Sequence, residues 1–137
     1  MASNKPTKSA RKPKLASAAQ VLLRLRKICM KMPDAVEKPS HGEPTWFAGA
    51  KGKVFAMLDN HHHGATHVSV WLPTPRELQE ALVASDPRAY FVPPYVGAKG
   101  WVGVVLDDGP DWKVVEGLIR AAYEGVAVRS KAPRRKI

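Results

Sequence analysis

The chain lacks several features that would place a protein in a class at once. It has one cysteine, Cys29, which excludes an internal disulfide and a zinc site made of several thiolates. It has no run approaching the roughly 18 apolar residues of a membrane-spanning helix. Its first fourteen residues contain no apolar stretch of the kind found in a secretory signal. We therefore expect a soluble cytoplasmic protein with no membrane partner, in which Cys29 is a buried and inert thiol.

Acidic residues are missing from both ends of the chain. Residues 1–14 and residues 126–137 each carry five basic residues and no acid. The other twelve basic residues and all twelve acidic ones lie in residues 15–125, so this interval has no formal charge although the whole chain carries +10. We expect the two ends to supply any long-range attraction to a polyanion.

The composition predicts one small domain between two basic tails. The overall content of 45% apolar and 25% charged residues is ordinary for a globular protein. Residues 1–14 lack aromatic side chains and hydrophobic periodicity, which is typical of a disordered segment. We predict a disordered basic arm at residues 1–14, an α+β domain at residues 15–128 and a basic C-terminal tail at residues 129–137.

An amphipathic helix is predicted at residues 21–32. Apolar residues recur there at the spacing of one helical face, and Pro33 ends the pattern. The opposite face carries Arg24, Lys27 and Lys31. These cations could contact phosphates, but we interpret them as a solvated face.

The periodicity from residue 35 to residue 72 shortens toward two, which predicts antiparallel strands in a meander. Strands are expected at residues 45–48, 54–58 and 67–72. Residues 49–52, with a glycine at each end, predict the hairpin connection between the first two of these strands.

The second half of the chain predicts two more helices and two more strands. Thr74 is the expected cap of a short helix that ends near Ser85, because proline and glutamate follow at the favoured positions. Strands are expected at residues 90–92 and 101–106. Asp111 should cap the last helix, with Gly125 as its terminator.

The order of these elements separates the helices from a contiguous antiparallel sheet. This arrangement is the α+β pattern and differs from the alternation of strands and helices in a parallel sheet. We therefore predict a two-layer α+β fold with helices packed on one face of an antiparallel sheet.

Four short segments occur in a fixed order. They read MPDAVE at residues 32–37, GKVFA at 52–56, VPPYV at 92–96 followed by GWV at 100–102, and AAY at 121–123. In this order and spacing they resemble the landmarks of the MmcQ/YjbR family, over about residues 21–128.

The resemblance implies a fold of the frataxin (CyaY-like) type and a DNA-binding role through a proposed double-wing surface. It implies no agreed catalytic residues. Two features depart from the family pattern: Ala122 stands where the family often has serine, and the basic tails are an addition. The tails are therefore interpreted from their charge alone.

The basic tails are the expected nucleic-acid contacts, because each cation that neutralises a phosphate releases condensed counterions. Lys51 and Lys53 flank Gly52 at the predicted turn, where they could straddle a phosphate. The alternatives are that the tails only aid solubility and that Lys53 packs its stem along the sheet. The expected contacts are Lys5, Lys8, Arg11, Lys12, Lys14, Lys51, Lys53, Arg129, Lys131, Arg134, Arg135 and Lys136.

Histidines cluster near residue 60. His61, His62, His63 and His67 lie close to Asp59, and histidine is the commonest nitrogen ligand of transition metals. Adjacent histidines on a strand point to opposite faces, and no cysteine is near to complete a structural site. We therefore expect no functional metal site and no cofactor.

Two tryptophans indicate an alternative function. Trp71 and Trp101 are both predicted opposite the valines of their strands, and they would form an aromatic patch if no helix covered that face. Tyr95 and His63 complete this candidate ligand site. The alternative is a small-ligand or protein-binding module that uses the aromatic face of the sheet.

The leading expectation is a non-enzymatic DNA-binding protein. The sequence contains no motif around a serine or cysteine nucleophile and no glycine-rich phosphate loop. It also lacks a helix-turn-helix signature, so binding should be mostly non-specific. The expected partner is DNA, with RNA as the other candidate polyanion, and a monomer is the favoured oligomeric state.

Overall fold

The computed structural model describes residues 17–61 and 67–131, with the side chains of the last helix described as far as Ala127. The predicted arm at residues 1–14 lies outside these residues. Within the described ranges, no helix combines the length and the apolar character needed to cross a membrane.

Three helices and six strands make up the described chain. In chain order they are α1 (Ala18–Cys29), β1 (Ala35–Ser40), β2 (Glu43–Ala48), β3 (Val54–Asn60), β4 (Val68–Leu72), α2 (Arg76–Ser85), β5 (Tyr90–Phe91), a 3-10 turn (Val96–Lys99), β6 (Val102–Val105) and α3 (Trp112–Lys131). The strands form one antiparallel sheet in the order β1-β2-β3-β4-β6-β5. The predicted two-layer α+β class is confirmed.

The core lies between one face of the sheet and helices α1 and α3. Val70 of β4 stands near its centre, paired with Leu58 of β3 on one side and Val104 of β6 on the other. The buried helical residues that cover these strands are Val21, Leu25, Ile28 and Cys29 of α1 and Val115, Ile119, Ala122 and Val126 of α3.

The start of α1 is a capping box. The Ser17 side chain accepts from the Gln20 backbone N–H at 3.1 Å, and the Gln20 side chain accepts from the Ser17 backbone N–H at 3.2 Å. The helix ends at Cys29, earlier than the predicted residue 32. Pro33 disfavours the helical conformation at Met32, and the residues before it form tighter turns in which the backbone N–H groups of Lys31 and Met32 donate to the carbonyls three residues earlier, at 3.2 and 3.1 Å.

The predicted meander of strands is confirmed, including the turn at residues 49–52. Gly49 has a φ of 105°, and the Gly52 backbone N–H donates to the Gly49 carbonyl at 3.0 Å. The sequence analysis did not single out β1 as a strand. It is one of the two edge strands of the sheet and contains Pro39, which has no backbone N–H. An edge strand tolerates proline because it pairs with a neighbouring strand on one side only.

A bulge in β3 directs one aromatic side chain toward the helices. The pairing of β2 with β3 shifts after Trp46, which leaves Phe55 as an extra residue in β3. The Phe55 ring meets the Tyr123 ring of α3 edge-on, with the two centroids 5.3 Å apart. Phe55 is fully buried. The bulge therefore ties the sheet to the middle of α3.

The predicted cap of α2 is wrong. The cap residue is Pro75, which makes no side-chain capping bond. The Thr74 hydroxyl instead donates to the Gly100 carbonyl at 2.7 Å, 26 residues further along the chain. A contact between distant segments therefore takes the side chain that the local pattern assigned to the helix end.

The predicted end of the last helix is also wrong. Asp111 caps α3 as expected, accepting from the Lys113 backbone N–H at 3.0 Å. Gly125 does not terminate the helix, which continues to Lys131. The next residue, Val126, is 2% exposed, and its burial offsets the roughly 1 kcal/mol by which glycine disfavours a helix interior.

An ion pair joins α1 to the edge of the sheet. The Arg26 guanidinium donates two hydrogen bonds of 2.7 Å to the Glu37 carboxylate, and the Trp46 indole N–H donates to the same carboxylate at 3.0 Å. The hydrogen bonds from Arg26 lower the pKa of Glu37, although partial burial opposes them. The same hydrogen bonds raise the pKa of Arg26.

Glu37→Gln should lower the free energy of unfolding at pH 7 by about 1 kcal/mol, because the pair is partly exposed to solvent. The native state holds the pKa of Glu37 below its ordinary 4.5, so this stabilisation is present above that pH and is lost as the pH falls through the native value. Urea unfolding of both proteins at pH 7 and at pH 3 measures the difference.

Glu116→Gln is the matched control, since the Glu116 pair is solvent-exposed and should contribute less. An equal loss for Glu37→Gln at both pH values would show that the charge of Glu37 does not stabilise the fold.

Candidate nucleic-acid interface

Helices α1 and α3 lie side by side and run in the same direction. The Arg24 guanidinium, in the middle of α1, lies 4.9 Å from the centroid of the Trp112 ring at the start of α3. Further along, the Lys31 ammonium lies 3.0 Å from the Glu116 carboxylate. Beyond α1, the carbonyl of Pro33 accepts from the Tyr123 hydroxyl at 2.9 Å. The order of these contacts along both helices establishes their parallel arrangement.

A groove of about 610 Å³ separates the exposed faces of the two helices. Its apolar floor includes Ile28 and Trp112, and Leu23, which is 66% exposed, stands on its rim. Four cationic side chains line it against the single acid Glu116. These cations are Arg24, Lys27, Lys31 and Lys113.

The charge of the groove remains positive after its ion pairs are counted. Glu116 accepts from Lys31 at 3.0 Å and from Arg120 at 3.3 Å, and the contact with Lys31 makes the larger contribution to lowering the pKa of Glu116. Among the described residues, neither Lys27 nor Lys113 has a carboxylate within ion-pair distance. One acid therefore faces several cations, and the groove attracts anions.

Arg26 does not belong to this positive surface, although it lies on the same helix. Its guanidinium is committed to Glu37 by two short hydrogen bonds. The described cations of α1 thus divide into Arg26, which pairs with Glu37, and Arg24 and Lys27, which line the groove.

The hairpin between β2 and β3 adjoins the far end of α1. Ala48, which precedes the turn, pairs with Ala35, whose backbone N–H donates to the Met32 carbonyl at 3.1 Å. Lys51 and Lys53 lie at the predicted turn, and the structure shows both residues exposed. A Cβ atom at Gly52 would lie 1.9 Å from the Ala48 carbonyl oxygen, so only glycine fits between the two lysines.

The two basic ends of the chain are attached to opposite ends of the helical layer. The described chain enters at Ser17, beside the first turn of α3, and leaves past Tyr123 at the other end. Arg129 and Lys131 lie in the last turns of α3. The other predicted tail contacts lie outside the described residues: they are Lys5, Lys8, Arg11, Lys12, Lys14, Arg134, Arg135 and Lys136.

The candidate aromatic site is not a single surface. Trp71 is 5% exposed on the face of the sheet away from α1 and α3, and its indole N–H donates to the Ser69 hydroxyl at 3.2 Å. Trp101 lines a different cleft, against α3. Tyr95 is 75% exposed in a tight turn with a φ of 65°. The structure therefore places Trp71 and Trp101 on different faces, while His63 lies outside the described residues.

The histidines that the structure describes have separate surroundings. His67 Nδ1 lies 2.9 Å from the buried Asp107 carboxylate, which also accepts from the Val68 backbone N–H at 3.0 Å. His61 Nδ1 contacts the side-chain oxygen of Asn60 at 2.8 Å. Within the described ranges, no group of three metal-ligating side chains is present.

The sequence analysis did not include Lys113 or Arg120 in the interface. Both follow the spacing of the polar face of α3, opposite Val115 and Ile119. This pattern shows that the side chains are exposed, but it does not show which helix lies beside them. Only the packing of α1 against α3 shows that Lys113 lines a shared groove and that Arg120 pairs with Glu116, the acid of that groove.

The chain is similar to known proteins in sequence and in fold. The family model described as YjbR matches residues 30–125. A crystal structure of a Deinococcus radiodurans protein with a DUF419 domain superposes with a TM-score of 0.63 at 21% identity, over 79% of this chain and 78% of that chain. A search of the curated proteins by sequence found no match to this chain. At this identity the superposition shows a shared fold.

Gly52→Ala should destabilise the protein by about 2 kcal/mol or more, because the new methyl group would collide with backbone atoms of Ala48. Gly117→Ala is the matched control. A Cβ atom there meets nothing within 4 Å on the exposed face of α3, so we expect about 0.5–1 kcal/mol of added stability. Urea unfolding measures both, and equal shifts of the same sign would contradict the turn geometry.

Proposed function

The chain belongs to the YjbR family, and from this premise and the charge of the helical layer we propose that it is a non-enzymatic protein that binds DNA through the phosphate backbone. The observation that carries the proposal is the groove between α1 and α3, which four cations and one acid line. The described chain enters and leaves at opposite ends of the same layer, and the sequence of each basic end contains no acid.

The groove gathers cations from two separate segments of the chain. Lys27 lies near the end of α1, Lys31 lies four residues later in the turn that follows the helix, and Lys113 approaches from α3. Lysine and arginine side chains gathered in one groove can contact several phosphates of a nucleic-acid backbone together. Leu23 and Trp112 offer apolar surface to the sugars between them.

Binding of this kind carries little sequence information. Lysine and arginine contacts to phosphates set the position of a protein on the duplex, whereas contacts to base edges read the sequence. If about six cations of the groove, the hairpin tip and the tails contact phosphates, log K should fall with log salt with a slope of roughly −5. We therefore propose mostly non-specific binding.

The chemistry of the lone thiol supports a function without catalysis. Cys29 is fully buried, and burial raises the pKa of its thiol, with a smaller contribution from the Glu37 charge. A buried, protonated thiol is a poor nucleophile. The alternative of a ligand site on the aromatic face has less support, because Trp71 is buried and Trp101 faces another cleft.

Lys27→Glu should weaken binding to a labelled 20-base-pair duplex about tenfold at 0.1 M salt and reduce the salt slope by about 1, because one phosphate contact is lost. Arg88→Glu is the control, since it makes a similar change in charge at an exposed residue outside the groove. Fluorescence anisotropy at several salt concentrations measures both. If the two variants bind equally well, net charge explains the affinity and the groove does not.

Replacement of the five basic residues within residues 1–14 by glutamine should reduce the salt slope by about 0.9 for each residue that contacts a phosphate. The C-terminal basic residues should also be tested by substitution. Truncation after Gly125 would remove the end of α3 together with the buried Val126. The same anisotropy titration applies. An unchanged slope would show that the N-terminal arm takes no part in binding.

A further inference from the structure

A second cleft, of about 700 Å³, lies on the side of α3 opposite to the groove. Ala121 and Gly125 form its helical wall, and both lie nine residues after groove residues, Trp112 and Glu116, which places them half a turn away around the helix. The start of α2 and the segment before β6 form the other walls. The cleft therefore has no lining residue in common with the proposed duplex-binding surface.

The described residues that line this cleft include two cations and no acid. Arg76 and Lys99 are both exposed, and the partly exposed ring of Trp101 lies beside them. A planar aromatic ring next to two cations suits a ligand that is itself planar and carries a negative group, because stacking and ion pairing then act together. The volume is within the range of roughly 300–1,000 Å³ that small-molecule sites occupy.

Side chains from the start of α2 hold the segment that carries Lys99 and Trp101. The Thr74 hydroxyl donates to the Gly100 carbonyl at 2.7 Å, and the Arg76 guanidinium donates to the Ala98 carbonyl. The buried Gln79 amide donates to the Trp101 carbonyl at 2.7 Å and also to the preceding turn. Four carbonyls between Gly97 and Trp101 are therefore held by side chains in α2 or just before it.

Glycine allows the close approach that these hydrogen bonds require. Gly100 has a φ of 99°, and a Cβ atom there would lie 3.0 Å from the Thr74 carbonyl oxygen. The segment is thus held in place before any ligand arrives, which reduces the entropy that binding must offset.

The wall formed by α3 leaves room for a ligand. A Cβ atom at Gly125 would meet nothing within 4 Å, although the residue lies inside a helix. Because Gly125 lines the cleft and its Cβ position is open, we expect a larger side chain there to occupy part of the cleft. Gly125 therefore provides a way to close the cleft without changing its cations or its aromatic ring.

We propose that this cleft binds a nucleoside phosphate, with the base stacked on Trp101 and the phosphate beside Lys99 and Arg76. The same chemistry occurs in a free mononucleotide and in an unpaired nucleotide of a single strand. This site is independent of the proposed binding to duplex DNA, because the two surfaces lie on opposite sides of α3.

Isothermal titration calorimetry of the full chain with adenosine monophosphate, adenosine and inorganic phosphate tests the proposal. We expect adenosine monophosphate to bind at least tenfold more tightly than adenosine or phosphate, because only the nucleotide uses both parts of the cleft. A pentamer of thymidylate, titrated in parallel, distinguishes a single-strand source from a free nucleotide. Absence of binding by both the nucleotide and the pentamer would overturn the proposal.

Gly125→Leu should weaken binding of the preferred probe at least tenfold by filling the cleft. Gly117→Leu is the matched control, because it adds the same side chain at another open glycine of α3 that does not line the cleft. Equal affinities for the two variants would overturn the assignment. Duplex affinity should be the same in both, so failure of this site is distinguishable from failure of the proposed function.

Lys99→Gln provides a test that does not depend on packing, because the side chain is exposed. We expect it to weaken nucleotide binding about tenfold while leaving adenosine binding unchanged.

Nuclear magnetic resonance of the ¹⁵N-labelled protein provides a second test. The indole N–H signal of Trp101 is assigned as the one that disappears in Trp101→Phe, and it should shift when the nucleotide is added. Loss of affinity without that shift would place the ligand elsewhere and overturn the proposal.

Discussion

The packing of α3 on the sheet is the constraint on which the other features of this protein depend. Val115, Ile119 and Val126 bury one stripe of the helix, and the bulged Phe55 secures its middle through Tyr123. Burial of this stripe fixes the rotation of the helix about its axis. The two flanks of α3 are then presented in set directions, one toward α1 and the other toward the start of α2.

The charges of the described chain serve two different purposes. Arg26 and Glu37 form a bidentate pair that links a helix to the edge of the sheet. The cations of the groove face solvent and share one acid, Glu116. A formal charge balance over residues 15–125 conceals this division, because it counts a paired arginine and an exposed lysine equally. Local excess of positive charge therefore exists within a domain that has no net charge.

Much of the fold could be predicted, because its signals are local. The apolar stripe of α1, the glycine turn at residues 49–52 and the Asp111 cap each depend on neighbouring residues. The failures occurred where a distant segment competes for a residue. Thr74 donates to Gly100 instead of capping α2, and the burial of Val126 extends α3 through Gly125. The predicted aromatic site also did not form one surface. Trp71 lies on the face of the sheet away from α1 and α3, whereas Trp101 lies in a cleft against α3, and this placement depends on how the elements pack.

The amino-acid sequence by itself determined the segregation of basic residues to the chain ends, the class of the fold and the exposure of each helix face. Periodicity and charge are properties of residues near one another in the chain, so they can be recognised without tertiary structure. Only the tertiary structure decided that Lys27 and Lys113 share a groove and that Lys99 and Trp101 share a cleft with Gly125. These residues are distant in sequence, and the burial of apolar surface between the elements that carry them brings them together.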